Sequence, residues 1–128
     1  MDERVTVVIE VPRGDFVKRG ADGVAEYVSP LPCPFNYGSV REELGGDGDP
    51  LDAVVLGGRQ RRGARVTVPV RARVRFVDGG RPDDKLVCSE SEPTARERWL
   101  VTTFFAWYAR AKRWTGRDTR FLGWESPA

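Results

Sequence analysis

Between Arg65 and Val77 the chain alternates almost without interruption, with Val66, Val68, Val70, Ala72, Val74 and Phe76 in one set and Arg65, Thr67, Arg71, Arg73 and Arg75 in the other. A strand points successive side chains to opposite faces, so it alone gathers the first set on one side. The pattern predicts a long half-buried strand, with Pro69 as the natural place for a bend. A strand of that length has to be covered along one face, which directs attention to the other β-forming stretches that could pair with it.

Several such stretches are present. Val5 to Val11 is rich in β-branched residues and ends at Pro12, as a strand closed by a turn does. Phe16-Val17-Lys18 and Val24-Ala25-Glu26-Tyr27 flank Ala21-Asp22-Gly23, and Asp-Gly between short apolar runs predicts a hairpin. Three prolines between Ser29 and Pro34 forbid regular structure and make a rigid extended loop delivering Asn36-Tyr37-Gly38. The loop Gly45 to Asp49 leads into a strand at Ala53 to Leu56, and Leu86-Val87-Cys88 is another short one. Thr94-Ala95-Arg96-Glu97 fits a capping box opening a helix that runs to about Trp114 and stops at Gly116. Leu100, Phe104, Trp107 and Ala111 form one stripe of that helix and Val101, Phe105 and Tyr108 an adjoining one, so it packs on a sheet or barrel. Phe121 to Trp124 completes the series as a last strand.

Many short strands with one late helix predict a mainly β fold, an OB-like closed barrel of about five strands with a C-terminal helix packed on it. The length of 128 residues suits a single domain over residues 1–128. With 40% hydrophobic and 31% charged residues and no long apolar run, the chain reads as soluble, without a membrane partner. Its start, Met1-Asp2-Glu3-Arg4, lacks the features of a secretion signal, which makes the cytoplasm the expected location. Cys33 and Cys88 are the only cysteines and are not paired in spacing, so both are expected to be reduced thiols.

The chain has no histidine. That removes the commonest general base, the usual nitrogen ligand of zinc, and every Ser-His or Cys-His arrangement. Chemistry here has to rest on carboxylates, Lys, Arg and Tyr. The carboxylates are concentrated at Asp47-Gly48-Asp49-Pro50-Leu51-Asp52 and again at Asp78-Gly79-Gly80-Arg81-Pro82-Asp83-Asp84-Lys85. Acids crowded in a loop repel one another unless cations neutralise them. Oxygen ligands without His or Cys select Mg²⁺, or Mn²⁺, and Mg²⁺ commonly bridges to substrate phosphate. A calcium loop does not fit, because Pro50 takes the fourth position and Gly58 stands where a bidentate Glu belongs. An ordinary acidic turn is the competing reading of the first cluster, and the second cluster at the end of a long strand weighs against it.

The run Asp47-Gly48-Asp49-Pro50-Leu51-Asp52 resembles the D-x-D-P-x-D signature of the soluble Mg-dependent inorganic pyrophosphatases. Further matches follow in the family's order: Val8-Ile9-Glu10-Val11-Pro12, Lys18, Pro34-Phe35-Asn36-Tyr37-Gly38, Asp78, Asp83, Lys85, Phe104-Phe105 with Tyr108, and Gly123-Trp124. The resemblance implies an OB-type barrel with Asp47, Asp52, Asp78 and Asp83 as metal ligands, Glu10 as an outer acid near a further metal, and Asp49 as general base. It implies that Lys18, Tyr37 and Lys85 hold the phosphoryl group under attack and that Tyr108 contacts the leaving phosphate. Pyrophosphate is then the substrate, with hydrolysis of another phosphoanhydride, or retirement to a metal- or phosphate-binding homologue, as the alternatives. Like the bacterial members, the chain is expected to form a homo-oligomer, although it is short between Cys88 and the helix.

Against the family pattern, Gly20 stands where a glutamate follows the first lysine, and no Arg occurs between Arg19 and Arg41. Cys33 lies near the place of a tyrosine, Gly79 replaces an acid, and Ala109 replaces a lysine. The lost Arg and Lys are contacts to the leaving phosphate. Lys112, one turn beyond Tyr108, and Arg41, shortly after Tyr37, are the candidates to compensate. The arginines from Arg59 to Arg75 raise nucleic-acid binding as a rival function, but the aromatic residues fall mostly on the helix instead of between them, so no nucleic-acid partner is expected.

Overall fold

The computed structural model describes residues 3–19, 25–28, 32–44 and 50–126, with the backbone alone described at 17–19, 25–28 and 42–44. The first strand, β1 (Arg4–Val11), buries Val5, Val7, Ile9 and Val11 on one face, as alternation requires. A short antiparallel pair follows, β2 (Val17–Arg19) with β3 (Ala25–Val28). The turn of the expected hairpin lies outside the described residues. After the Pro-rich segment comes β4 (Asn36–Leu44), then β5 (Pro50–Val55). The sequence reading ended its extended segment at Gly38, so most of β4 is an addition. Of its residues between Ser39 and Glu43 only Val40 is apolar, which is too little for a periodicity signal.

The long alternating segment is β6 (Arg65–Asp78), the longest of the described strands. The two-residue β7 (Arg81–Pro82) folds back on its end, and β8 (Lys85–Cys88) follows. β1 pairs with β4, β4 with β5, β5 with β8, β8 with β6, and β6 again with β1, so five strands close a ring. Of these pairings only β5 with β8 is parallel. The helix α1 (Ala95–Trp114) and a final strand β9 (Thr119–Glu125), paired with the second half of β6, complete the architecture. This is the expected mainly β fold with one C-terminal helix.

The apolar face of β6 serves two cores. Val68 and Val70 pack inside the ring with Val5, Val7, Ile9, Leu51 and Leu86. Ala72, Val74 and Phe76 pack under the helix with Phe35, Val54, Val87 and Phe105. The switch is a register slip between Val70 and Ala72, where Val70 faces Cys88 and Ala72 faces Val87. Such a bulge turns the strand and re-aims its side chains. Alternation alone placed all of these residues on one surface, and the irregularity lies just beyond Pro69, the expected bend.

The capping box is present: Glu97 N donates to Thr94 Oγ1 at 3.1 Å and Thr94 N donates to Glu97 Oε1 at 2.9 Å. Val101, Phe105 and Ala109 are the buried row of the helix, one residue per turn along the face pressed on the sheet. Ala109 is 1% exposed. The position where the family pattern has a lysine is therefore filled with core packing here.

Candidate active site

The Asn36-Tyr37-Gly38 step shows how the fold presents a functional side chain. Asn36 is buried, its Oδ1 accepting from Arg13 N at 3.0 Å and Gln60 N at 2.8 Å. Its Nδ2 donates to Val55 O at 3.2 Å and Gly58 O at 2.9 Å, so the amide ties together three segments with every bond made. At Gly38 a Cβ would lie 2.0 Å from the Val8 carbonyl oxygen. Only glycine lets β4 approach β1 this closely. Between the clamp and the close approach, Tyr37 is held with its ring over the sheet face that looks toward α1.

That face is the floor of a cleft of about 940 Å³, bounded by Glu10, Tyr37, Asp52, Asp78, Asp83, Lys85, Tyr108, Lys112 and Arg117 among others. Asp52 on β5 and Lys85 on β8 are register partners in the parallel pair, and Asp83 lies two residues before Lys85, on the same side. Lys85 Nζ donates to Asp52 Oδ2 and to Asp83 Oδ2, both at 2.8 Å, and the Tyr37 hydroxyl donates to the same Asp52 Oδ2 at 2.7 Å. Burial lowers the pKa of the Lys85 ammonium, but Asp52 and Asp83 outweigh it and hold the pKa above its ordinary value. Burial, reinforced by the charges of Asp52 and Asp83, pushes the Tyr37 phenol well above its usual range. Lys85 is thus a cation and Tyr37 a neutral donor at neutral pH.

Asp78, at the end of β6, is a further acid of the lining. Arg117 Nε donates to its Oδ1 at 2.6 Å and the Thr119 hydroxyl to the same oxygen at 3.1 Å. Burial raises the Asp78 pKa, yet the Arg117 hydrogen bond and the nearby Lys112 charge prevail and keep the carboxyl below its ordinary range. Glu10 lies at the register slip between Ile9 and Val11 in β1 and accepts from the Ser39 hydroxyl at 3.2 Å. Tyr108 stacks on Phe104 with centroids 6.2 Å apart, and Lys112 Nζ stands 5.2 Å from the Tyr108 ring centroid. Cys33 also lines the cleft. Burial pushes its thiol up to about 11, so it stays protonated and is no nucleophile.

The cleft therefore brings together Glu10, Tyr37, Asp52, Asp78, Asp83, Lys85, Tyr108 and Lys112 from the sequence reading. Arg41 is exposed on β4 and stands outside the described lining. Asp47, Asp49 and the side chain of Lys18 lie outside the described residues. Sequence reasoning missed Ser39, Arg81 and Arg117, all in the lining. Arg117 is 39 residues from Asp78 along the chain and follows a helix stop, a position with no local signal.

The family profile described as inorganic pyrophosphatase matches residues 7–128. The chain belongs to the inorganic pyrophosphatase family. Among curated relatives, the inorganic pyrophosphatase of Synechocystis is 29% identical over 94% of this chain and 82% of its own length. That of Ureaplasma parvum is 29% identical over 66% of this chain, a match spanning only about half (51%) of the relative. The inorganic pyrophosphatase of Thermus thermophilus superimposes with a TM-score of 0.81 at 27% identity, covering 97% of this chain and 83% of that one. The Helicobacter pylori enzyme, at a TM-score of 0.83 and 22% identity over 98% of this chain and 85% of that one, shares the fold.

Members of this family work with divalent metal. The oxygen-only set of Glu10, Asp52, Asp78 and Asp83 around one cleft fits a hard divalent cation in donor chemistry. Among the described residues no three acids stand close enough together to chelate an ion. Asp52 and Asp83 are drawn to Lys85 instead, and Asp78 to Arg117.

Proposed function

We propose that this chain hydrolyses inorganic pyrophosphate to two phosphates with Mg²⁺ as cofactor. The observation that carries the reading is the buried node in which Lys85 bridges Asp52 and Asp83 while Tyr37 donates to Asp52. It brings Tyr37 on β4, Asp52 on β5 and Lys85 on β8 into one node of phenol, carboxylates and ammonium in the cleft lining. Asp47, Asp52, Asp78 and Asp83 would hold the metal, with Glu10 as an outer acid. When bound, the divalent cation lowers the cost of deprotonating water and offsets phosphate charge.

In this reading Asp49 takes the water proton, the water oxygen joins phosphorus, and the bridging P–O bond breaks in line with the attack. Lys18, Tyr37 and Lys85 hold the oxygens of the attacked group as charge redistributes. Tyr108 sits under the departing phosphate, with Lys112 one turn away. Hydrolysis of a larger phosphoanhydride is the second reading, favoured by a cleft near the upper end of ordinary ligand pockets. A cytoplasmic setting, a homo-oligomer and a single domain over residues 1–128 belong to the same proposal.

The test is phosphate release from pyrophosphate and from nucleoside triphosphate, with and without Mg²⁺, for the parent, Asp49→Asn and Asp83→Asn. Mg²⁺-dependent release from pyrophosphate, falling by about a hundredfold or more in both variants, is expected. Equal background in all three proteins sinks the reading, and preference for the triphosphate selects the second one.

A further inference from the structure

The geometry points to Arg117 as an exchangeable arm: it is paired with Asp78, and once a divalent cation takes that carboxylate it turns its guanidinium to a phosphate group in the cleft. This rests on the proposed function for the identity of the anion and of the cation.

Four observations lead there. First, the guanidinium lies in the cleft wall and is half exposed, at 52% of its side-chain surface, so solvent and a ligand in the cleft can reach it. Second, among the described hydrogen bonds only its Nε is engaged, with Asp78 Oδ1, leaving the two terminal amino groups as donors for an anion. Third, the space it occupies depends on Gly79. A Cβ there would lie 3.2 Å from Arg117 Nη2 and 3.4 Å from Cζ, and Gly79 has a φ of +63° that disfavours any side chain. The family pattern has an acid at this position, and the glycine that replaces it here leaves the room that the Arg117 guanidinium fills.

Fourth, the arm is anchored at its base. Gly80 N donates to Asp118 O at 3.1 Å and the Thr119 hydroxyl to Asp78 at 3.1 Å, which pins the turn after β6 to the segment carrying Arg117. Lys112 is close enough to Asp78 to lower its pKa, so both cations border the same space. Ala109 cannot host a cation there, being packed in the core. Arg117 and Lys112 thus restore, from the end of the helix, positive charge that the family pattern draws from other positions.

The test measures two equilibria by titration calorimetry on the full chain: Mg²⁺ alone, and inorganic phosphate at saturating Mg²⁺, for the parent, Arg117→Ala and Arg117→Lys. Thermal midpoints close to the parent's establish that the variants fold, and Arg117→Lys supplies a second comparison. With Arg117→Ala, Mg²⁺ should bind as tightly as in the parent or a few-fold more tightly, because its competitor at Asp78 is gone. Phosphate should bind about 10- to 100-fold more weakly, the worth of one charge-assisted hydrogen bond. Arg117→Lys should fall between the two, since the charge remains but the planar fork does not. Unchanged phosphate affinity in Arg117→Ala overturns the inference, as does Mg²⁺ binding weakened together with phosphate, which would make Arg117 a mere support for Asp78. A parent that binds Mg²⁺ and phosphate as stated but releases no phosphate from pyrophosphate overturns the proposed activity and leaves the Arg117 result standing.

Discussion

Two carboxylate–cation contacts line the cleft, and the burial of the cation separates them. On the floor, Lys85 is 3% exposed and lies between Asp52 and Asp83. At the rim, Arg117 meets Asp78 with half of its side chain in solvent. A buried ion pair repays its desolvation only while both partners are present, so the floor is intolerant of loss. An exposed pair is screened by water and exchanges partners readily. Within one small cleft the floor is therefore built to hold geometry and the rim to yield it.

The sharpest way to break this contrast is Lys85→Met, which keeps the apolar stem and removes the charge between Asp52 and Asp83. The expected loss is about 3–5 kcal/mol of unfolding free energy in a urea titration, with added Mg²⁺ stabilising the variant more than the parent. A loss below about 1 kcal/mol would place floor and rim in the same class. Next in size is Tyr37→Phe, which deletes only the hydroxyl on Asp52 Oδ2. It should cost about 1 kcal/mol of stability and lower kcat/KM on pyrophosphate by roughly tenfold or more. An unchanged kcat/KM would reduce Tyr37 to a packing residue.

The smallest effects are expected in the pH dependence of the thermal midpoint, and they fall at opposite ends. The Asp78 pKa is lowered in the folded protein, so its stabilisation is present above the ordinary value of 3.8 and is lost as pH falls through the folded pKa. Arg117→Ala should flatten that acid limb. The Lys85 pKa is raised, so its contribution is complete below the ordinary 10.5 and is lost as pH rises through the folded pKa. The alkaline limb should move less than the acid one on Arg117→Ala, because Arg117 reaches the Lys85 node only through the charge of Asp83, and an equal shift of both limbs would tie the two contacts into one network.

Local patterns explain what could be read in the chain beforehand. The capping box at Thr94 and Glu97 and the alternation of β1 and β6 are short-range signals, and each corresponds to an element. The strand β4 was largely invisible because Arg41, Glu42 and Glu43 carry no apolar rhythm. It is held in the ring by pairing to β1 and β5, including the approach at Gly38. Tyr37, Asp52, Asp83 and Lys85 were singled out through motif order, and the fold brings them to one cleft. Arg117 was not, because what marks it is the room left by Gly79, and that is a relation across space.

By itself the sequence determined the family, the mainly β class, the late helix and the absence of histidine chemistry, because periodicity, capping and short motifs are properties of neighbouring residues. Only the tertiary structure decided which cation answers which carboxylate. It also decided that β6 serves two cores and that Ala109 belongs to packing while Lys112 and Arg117 border the cleft. Those outcomes depend on strand register, a bulge and steric room between segments tens of residues apart, where one slipped residue turns a side chain to the opposite face.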